Sequence, residues 1–357
     1  MVHYIRFLRT PQCELSKKTA DVSAVVAVQT DLGDALLSQD VLLDANLVEA
    51  NSSKDLLHSQ PLQWQATSRA LKFTLPCPGK YISRSVRLQV TTKGTQSTSK
   101  QLEVPAIIDV WSSEFRLFDK VRSEPVIERQ LRLSNGTTLR LLEDTGESIA
   151  RHIWDASLGF LMFFARALFL SPPQEMSTIA KLVRSSKVRR LRVLELGAGC
   201  GVVGIAFAQL IKCDMLLTDL EDAQEILSTN SRHASPMAGS TIQTEVLDWA
   251  SSLEGSSNSI FDLVLVSDCI YNPDSSLHLV EILRQLVARA PDTAILVGFK
   301  RRHEADTIFF DRMRETNFEI VGHIDIPLPH TATDYDSDIP TTEFYTYRQH
   351  TALRPQG

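Results

Sequence analysis

The run LRVLELGAGCGVVGIAFA, residues 191–208, decides how the rest of the chain is read. A short apolar strand, Leu191 to Leu196, enters glycines at 197, 199 and 201 and then a helix rich in small residues, Gly204, Ala206 and Ala208. Glycine lets the backbone turn sharply and approach a ligand closely, and the helix N-terminus offers free N–H groups. Taken alone, such a loop is also a tight strand-to-helix turn with no ligand, so its weight depends on what surrounds it.

Downstream, strands and helices alternate. The strands read DMLLTD (214–219), TIQTEVLDW (241–249), FDLVLVSD (261–268), TAILVGF (293–299), FEIVGHI (318–324) and TEFYTYR (342–348); helices are expected from Val202, Asp222, Ser275 and Glu304. Apolar strands separated by helices specify a parallel sheet covered on both faces. The last two strands follow each other without a helix, which suits an antiparallel terminal strand.

Three strand ends carry residues suited to a nucleoside and a second reactant. Asp219 ends the second strand 24 residues after Glu195, where an acidic side chain accepts both hydroxyls of a ribose; its competing role is N-cap of the helix that follows. The dinucleotide pattern GxGxxG is absent, because every second residue of the loop is Gly. Asp248 and Trp249 end the third strand, where a carboxylate can accept from an exocyclic adenine amine and an indole can cover the base; taken singly Trp249 is more often core, and only its combination with the glycine loop and Asp219 reverses that. Ser267-Asp268-Cys269-Ile270-Tyr271-Asn272-Pro273 follows the fourth strand at the carboxyl edge, where open α/β folds place their chemistry. The competing reading makes Asp268 a helix cap and Tyr271 core.

Upstream, VIERQLRLSNGTTLRLLE (126–143) is two alternating runs around Asn135-Gly136, a hairpin signal. Ala150 to Leu170 has helical spacing through Trp154, Leu158, Met162 and Ala165. Before that the text is less legible: Val22 to Val48 mixes apolar and acidic residues at helical spacing, Ser83 to Val90 alternates like a strand, and Thr91 to Lys100 reads as a polar loop.

The 357-residue length implies two units. A net charge of -6 disfavours nucleic acid as a partner, since gripping a phosphate backbone needs a clustered basic face. The one basic cluster, Lys187, Arg189, Arg190 and Arg192, is read as a solvated strand entrance. Cys13, Cys77, Cys200, Cys213 and Cys269 are odd in number and lack metal-ligand spacing, so they read as free thiols in a reducing compartment, and no metal site is expected. No run of about 18 apolar residues suggests a membrane span. A cytoplasmic protein, present also in the nucleus, and a monomer are the expectations.

On WDAS (154–157), VLELGAGCGVVGI (193–205), TDL (218–220), LDW (247–249) and SDCIY (267–271), the chain resembles the seven-strand protein-lysine methyltransferases, methyltransferase family 16, over about Leu131 to Arg348. The resemblance implies an α/β fold, a Rossmann-like seven-strand methyltransferase sheet at 126–357, with a smaller N-terminal accessory domain at 1–125 whose fold it does not indicate. It implies S-adenosyl-L-methionine as cofactor and a protein substrate carrying the acceptor lysine, with translation factors and chaperones first among candidates. By the same resemblance Trp154 lies against the cofactor, the loop Gly197, Ala198 and Gly199 surrounds its methionine end and Asp219 holds the ribose; Glu195 and Leu220 are expected among the cofactor-binding residues as well. Trp249 borders the adenine, where the residue reading also puts Asp248, and Ser267, where the family more often has Ala, borders the methionyl moiety. Asp268 and Tyr271 line the acceptor pocket as the catalytic pair. Two rivals stand beside this reading: a methyltransferase acting on RNA or a small molecule, and a binding module that keeps the cofactor pocket.

Overall fold

The computed structural model describes residues 1–15, 19–50, 52–93, 104–118, 122–144, 146, 148–169, 172–251, 253, 259–302, 307–331 and 339–349. The chain divides into two compact units, the first comprising Met1–Leu131, Arg140–His152 and Pro329–Ile339, the second Arg132–Leu139, Ile153–Leu328 and Pro340–Gly357.

The first unit is built of strands: β1 (His3–Leu15), β2 (Thr19–Gln29), β3 (Val41–Glu49), β4 (Ser52–Trp64), β5 (Leu71–Pro78), β6 (Ser85–Thr92), β7 (Ile107–Ile108), β8 (Val110–Ser112), β9 (Phe115–Arg116), β10 (Val126–Arg132) and β11 (Thr138–Asp144). They form one sheet ordered β5-β2-β1-β7 and another ordered β11-β10-β8-β6-β3-β4, with β9 on β6. Ile5, Val22 and Leu75 of the first sheet and Leu43, Leu88 and Val110 of the second share one apolar cluster, so the two sheets enclose a common core.

The helical spacing of Val22 to Val48 is overridden. Buried Ala20, Val22, Ala24 and Val26 alternate with partly exposed Asp21, Ser23 and Val25, which is the period of a strand with one face on the core. The strand expected at Ser83 to Val90 is β6, whose burial alternates strictly. Of the expected polar loop, Thr91 and Thr92 close β6, and residues 94–100 lie outside the described residues.

The Asn135-Gly136 hairpin forms as read. Gly136 takes φ +85°, and the Asn135 side-chain oxygen accepts from the Thr137 N–H at 3.0 Å. Its strands, however, extend the N-terminal sheet, because β10 pairs with β8 through Ile127 and Glu128. The boundary expected at 125/126 therefore does not coincide with the observed division, which gives only the hairpin tip, Arg132–Leu139, to the second unit. Strand pairing, not order along the chain, sets the division.

The second unit holds α1 (Asp155–Phe169), α2 (Ser177–Ser185), β12 (Leu191–Leu196), α3 (Val202–Leu210), β13 (Cys213–Asp219), α4 (Glu221–His233), β14 (Thr241–Val246), β15 (Leu263–Ser267), α5 (Pro273–Arg289), β16 (Ala294–Phe299), α6 (Thr307–Glu315), β17 (Phe318–Pro327) and β18 (Thr341–Gln349). Their sheet order is β14-β13-β12-β15-β16-β18-β17. Strands β12 to β16 run parallel, and β18 inserts antiparallel between β16 and β17. Strand order reverses between β13 and β15 around β12, which is where an open α/β sheet leaves a crevice at its carboxyl edge.

Strand alternation assigns the helices to opposite faces. Val264, Val266, Ile295 and Val297 join α5 and α6 residues in one cluster. On the other face, a side chain at Gly298 would collide with Phe160 of α1, one at Gly204 of α3 would collide with Leu217 and Glu195, and Phe164 packs on Phe207. All six β16 residues are buried, as expected for a strand covered on both sides. On α1 the burial centres on Phe160, Phe163 and Phe164, whereas Trp154 precedes the helix. The five cysteines are buried free thiols, and among the described residues no helix is long and apolar enough to cross a membrane.

Candidate active site

The glycine loop leaves β12 through three left-handed residues, Gly197 (φ +67°), Gly199 (φ +55°) and Gly201 (φ +84°). This conformation strains any residue with a Cβ, which accounts for glycine at alternate positions. The loop is pinned to the second strand: Ala198 N–H donates to the Thr218 carbonyl at 3.0 Å, and Gly199 N–H donates to Asp219 Oδ2 at 2.7 Å. A Cβ at Gly197 would stand 2.5 Å from Cys269 Sγ and 3.1 Å from the Trp249 ring. The first, third and fourth strand ends thus converge on this one glycine.

Asp219 does not cap α4. The N-cap is Leu220, with no side-chain cap bond, and Asp219 Oδ1 instead accepts from the Leu220 N–H at 2.7 Å. Burial is the main influence raising the Asp219 carboxyl above its ordinary range. Each oxygen still has accepting capacity beyond its one backbone donor. Leu220 itself is 53% exposed at the strand end, an open apolar surface beside the carboxylate.

Glu195, expected among the cofactor-binding residues, faces helix α3. Its carboxyl is buried beneath α3 and accepts from the Gly204 N–H at 2.8 Å. The reason is strand alternation: residue 195 faces α3, and the absent side chain at Gly204 leaves the space. Burial pushes this carboxyl up to about 8, with the nearby Asp219 charge adding to the effect.

β14 ends at Val246, so Asp248 and Trp249 occupy the loop beyond it rather than the strand. Leu247 N–H donates to the Asp219 carbonyl at 2.9 Å, tying that loop to the end of β13. Asp248 is exposed, and its Oδ1 accepts from the Ala250 N–H at 2.9 Å; Trp249 is half-buried against the β15–α5 core.

Ser267 closes β15 opposite Gly298. Asp268 then takes φ +56°, a left-handed conformation in a residue with a Cβ, held by its N–H to the Gly298 carbonyl at 2.9 Å. Such geometry costs of order 1–3 kcal/mol and concentrates at functional sites. The competing role for Asp268 as a cap is taken by Asn272, whose side chain accepts from Asp274 N–H at the start of α5, with Pro273 in the first turn. Tyr271 is 55% exposed and not core; its phenol is raised chiefly by burial and further by Cys269, Asp219 and Asp268.

The segment after β16 supplies residues that the sequence reading missed. Arg302 Nη1 donates to Asp268 Oδ1 at 2.7 Å, and its guanidinium carbon lies 5.7 Å from the centre of the Trp154 ring. Lys300 Nζ donates to buried Asp155, next to Trp154, at 2.6 Å. The available signal was the position of GFKRR, a charged run directly after a buried strand at the carboxyl edge. The other basic cluster is accounted for by pairing, Arg189 with Asp262 and Arg190 with Asp214. Among the described residues, one group with metal-binding spacing occurs, His323, Asp325 and Glu343, but the Glu343 carboxylate is already held by Arg301 and by the Tyr345 hydroxyl.

A left-handed glycine cradle, a carboxylate at the second strand end and an apolar rim of Leu220 and Trp249 fit a nucleoside with a charged tail. The comparisons with known proteins agree. The model of the lysine methyltransferase family matches residues 133–316, and the chain belongs to this family. The UPF0665 family protein C23C4.06c of Schizosaccharomyces pombe is 27% identical over 319 residues, spanning 87% of this chain and 92% of that protein. Protein N-lysine methyltransferase METTL21A of Danio rerio is 29% identical, spanning 50% of this chain and 73% of that protein. EEF1A lysine methyltransferase 3 of Xenopus tropicalis is 30% identical, spanning 49% and 69%. The chain is an S-adenosylmethionine-dependent protein-lysine methyltransferase with a Rossmann-like catalytic sheet.

Proposed function

We propose that the crevice between Gly197, Asp219 and Asp268 is the methyl-transfer site, and that its protein substrate is a translation elongation factor. The observation that carries the site is the convergence of Gly197, Trp249 and Cys269 from three strand ends. Support for the substrate is the similarity to a relative named for EEF1A.

Asp219 holds the ribose, Leu220, Asp248 and Trp249 border the adenine, and the 197–199 backbone, Ser267 and Trp154 surround the methionyl end. When bound, S-adenosylmethionine supplies an electrophilic sulfonium methyl group; the acceptor nitrogen's lone pair forms the new N–C bond as the C–S pair returns to sulfur. What the chain must then provide is position and dryness, because in-line displacement needs the acceptor about 3 Å from the methyl carbon. Asp268 orients the acceptor nitrogen and Tyr271 forms the aromatic outer wall. A lysine has an ordinary pKa near 10.4 and gives up its proton to solvent before attack.

Tritiated cofactor, a panel of purified elongation factors, a whole protein extract and RNase and protease controls test this directly. Asp268→Asn should slow transfer by about 100-fold or more with cofactor affinity little changed, whereas Asp219→Ala should abolish measurable cofactor binding. Label that survives protease but not RNase, or full activity in Asp268→Asn, would remove the assignment. Label in the extract with none in the panel would remove the elongation-factor reading alone.

A further inference from the structure

The residues Gly298–Arg302, leaving β16 at the carboxyl edge, hold two parts of the site at once. Arg302 reaches Asp268 at 2.7 Å with side chains only 13% and 7% exposed, and the same guanidinium faces Trp154. Lys300 gives its backbone N–H to the same Asp268 oxygen at 3.2 Å, while its ammonium is engaged by Asp155. The carboxylate proposed to orient the acceptor therefore already has a resident cation.

This matters because the nucleophile is the free amine. A lone carboxylate beside the acceptor would favour the ammonium form and raise its pKa, because an opposite charge close by stabilises the protonated amine. A guanidinium in contact with that carboxylate cancels most of the field, and a carboxylate offers about four acceptor sites, more than one cation fills. Resting on the reading of Asp268 as the acceptor-orienting group, we propose that Arg302 is a positioning residue that neutralises Asp268, so that the substrate lysine is held as a free amine.

The surrounding charges are consistent with this. Among the described residues, the charged and titratable groups around Asp268 include Arg302 and Lys300 after β16, Asp155 at the start of α1, Cys269 and Tyr271 on its own loop, and Asp219 at the end of β13. Burial raises both the thiol and the phenol, so neither adds negative charge at neutral pH. Arg302 and Lys300 are then the two cations among three carboxylates, Asp268, Asp155 and Asp219, and removing Arg302 takes away the cation in contact with Asp268.

The test is the pH dependence of single-turnover transfer from tritiated cofactor to a protein extract, between about pH 6.5 and 9.5, with full-length enzyme. Melting temperature and cofactor affinity are measured on the same samples. Arg302→Gln should lose about tenfold or more at pH 7.5, and its rising limb should move up by about one pH unit, the size of shift that one nearby charge produces. Arg302→Met must move the limb alike, so the outcome does not depend on one variant folding well. Arg302→Lys, which keeps the charge, should leave the limb near the wild-type position. Adding Asp268→Asn to Arg302→Gln should return the limb downward, since no carboxylate remains to be neutralised. An unshifted limb in both neutral variants overturns the inference, as does faster transfer in them, which would mean that Arg302 merely occupies the lysine's place. Full activity in Asp268→Asn would instead overturn the acceptor-site reading beneath it.

Discussion

Glu195 and Asp219 show how two carboxyls near one loop come to different work. The strand pleat sends Glu195 under α3 and leaves Asp219 at the sheet edge, so one is sealed and the other reachable. Glu195 is raised from an ordinary 4.5 to about 8. A carboxyl raised on folding contributes stability that is fully present below about pH 4.5 and is lost as pH climbs through 8. Glu195→Gln keeps an oxygen for the Gly204 N–H without a charge to bury. Its melting temperature, measured without cofactor, should therefore gain on wild type by a few degrees between pH 5 and 8. A gap that stays constant or narrows over that range would show the carboxyl is not being ionised in a buried place.

At the scale of elements, α5 and α1 aim the site from opposite faces. Asn272 caps α5 four residues before its core-facing Ser276, leaving Asp268 outside the capping hydrogen bonds. Asn272→Ala should then cost about 1 kcal/mol of stability, with transfer per folded molecule preserved. Denaturant melts and rates on one sample check both halves, and a large loss of rate without loss of stability would put Asn272 in the site itself. Helix α1 lies close on β18 because position 159 has no side chain: a Cβ there would meet Thr342 Oγ1 at 2.3 Å. Gly159→Val should push the helix off the sheet, costing about 1–3 kcal/mol as overpacking does. It should also weaken cofactor binding measured by calorimetry, since Trp154 rides at the start of that helix. Unchanged affinity would separate Trp154 from the helix's position.

For the whole molecule, the N-terminal unit depends on a charge pair as well as on its core. Arg129 and Glu143 meet at 2.7 Å on neighbouring strands β10 and β11 with exposures of 0% and 1%. Arg129 also donates to the Ile5 and Asp109 carbonyls, each at 2.7 Å. Burial alone would raise the Glu143 carboxyl, but the Arg129 charge, the His152 hydrogen bond and the Arg6 charge outweigh it and hold it at about 2. Stability from this pair is accordingly present above the ordinary carboxyl range and lost as pH falls toward 2. Arg129→Met should destabilise the unit by about 3–5 kcal/mol at pH 7 by stranding the carboxylate. Below about pH 3 that deficit should shrink. A deficit independent of pH in urea melts would assign the loss to packing.

What the sequence alone determined was the catalytic sheet and most of its rim. Parallel buried strands announce themselves as short apolar runs, the alternate glycines mark a turn no other residue takes without strain, and Asp219, Trp249 and Asp268 sit at or just beyond strand ends whose location follows from that rhythm. The N-terminal unit was not legible, because strands with one buried face and small or apolar residues on the other blur into helical spacing, as Val22 to Val48 did. Three things were decided only in three dimensions. The hairpin at 126–144 is claimed by the N-terminal sheet, since a strand edge pairs with whichever neighbour offers hydrogen bonds. Glu195 faces α3 because Gly204 opens a space there. Arg302 meets Asp268 from 34 positions away along the chain, a pairing invisible to local pattern because two adjacent parallel strands, β15 and β16, deliver their ends to the same edge of the sheet.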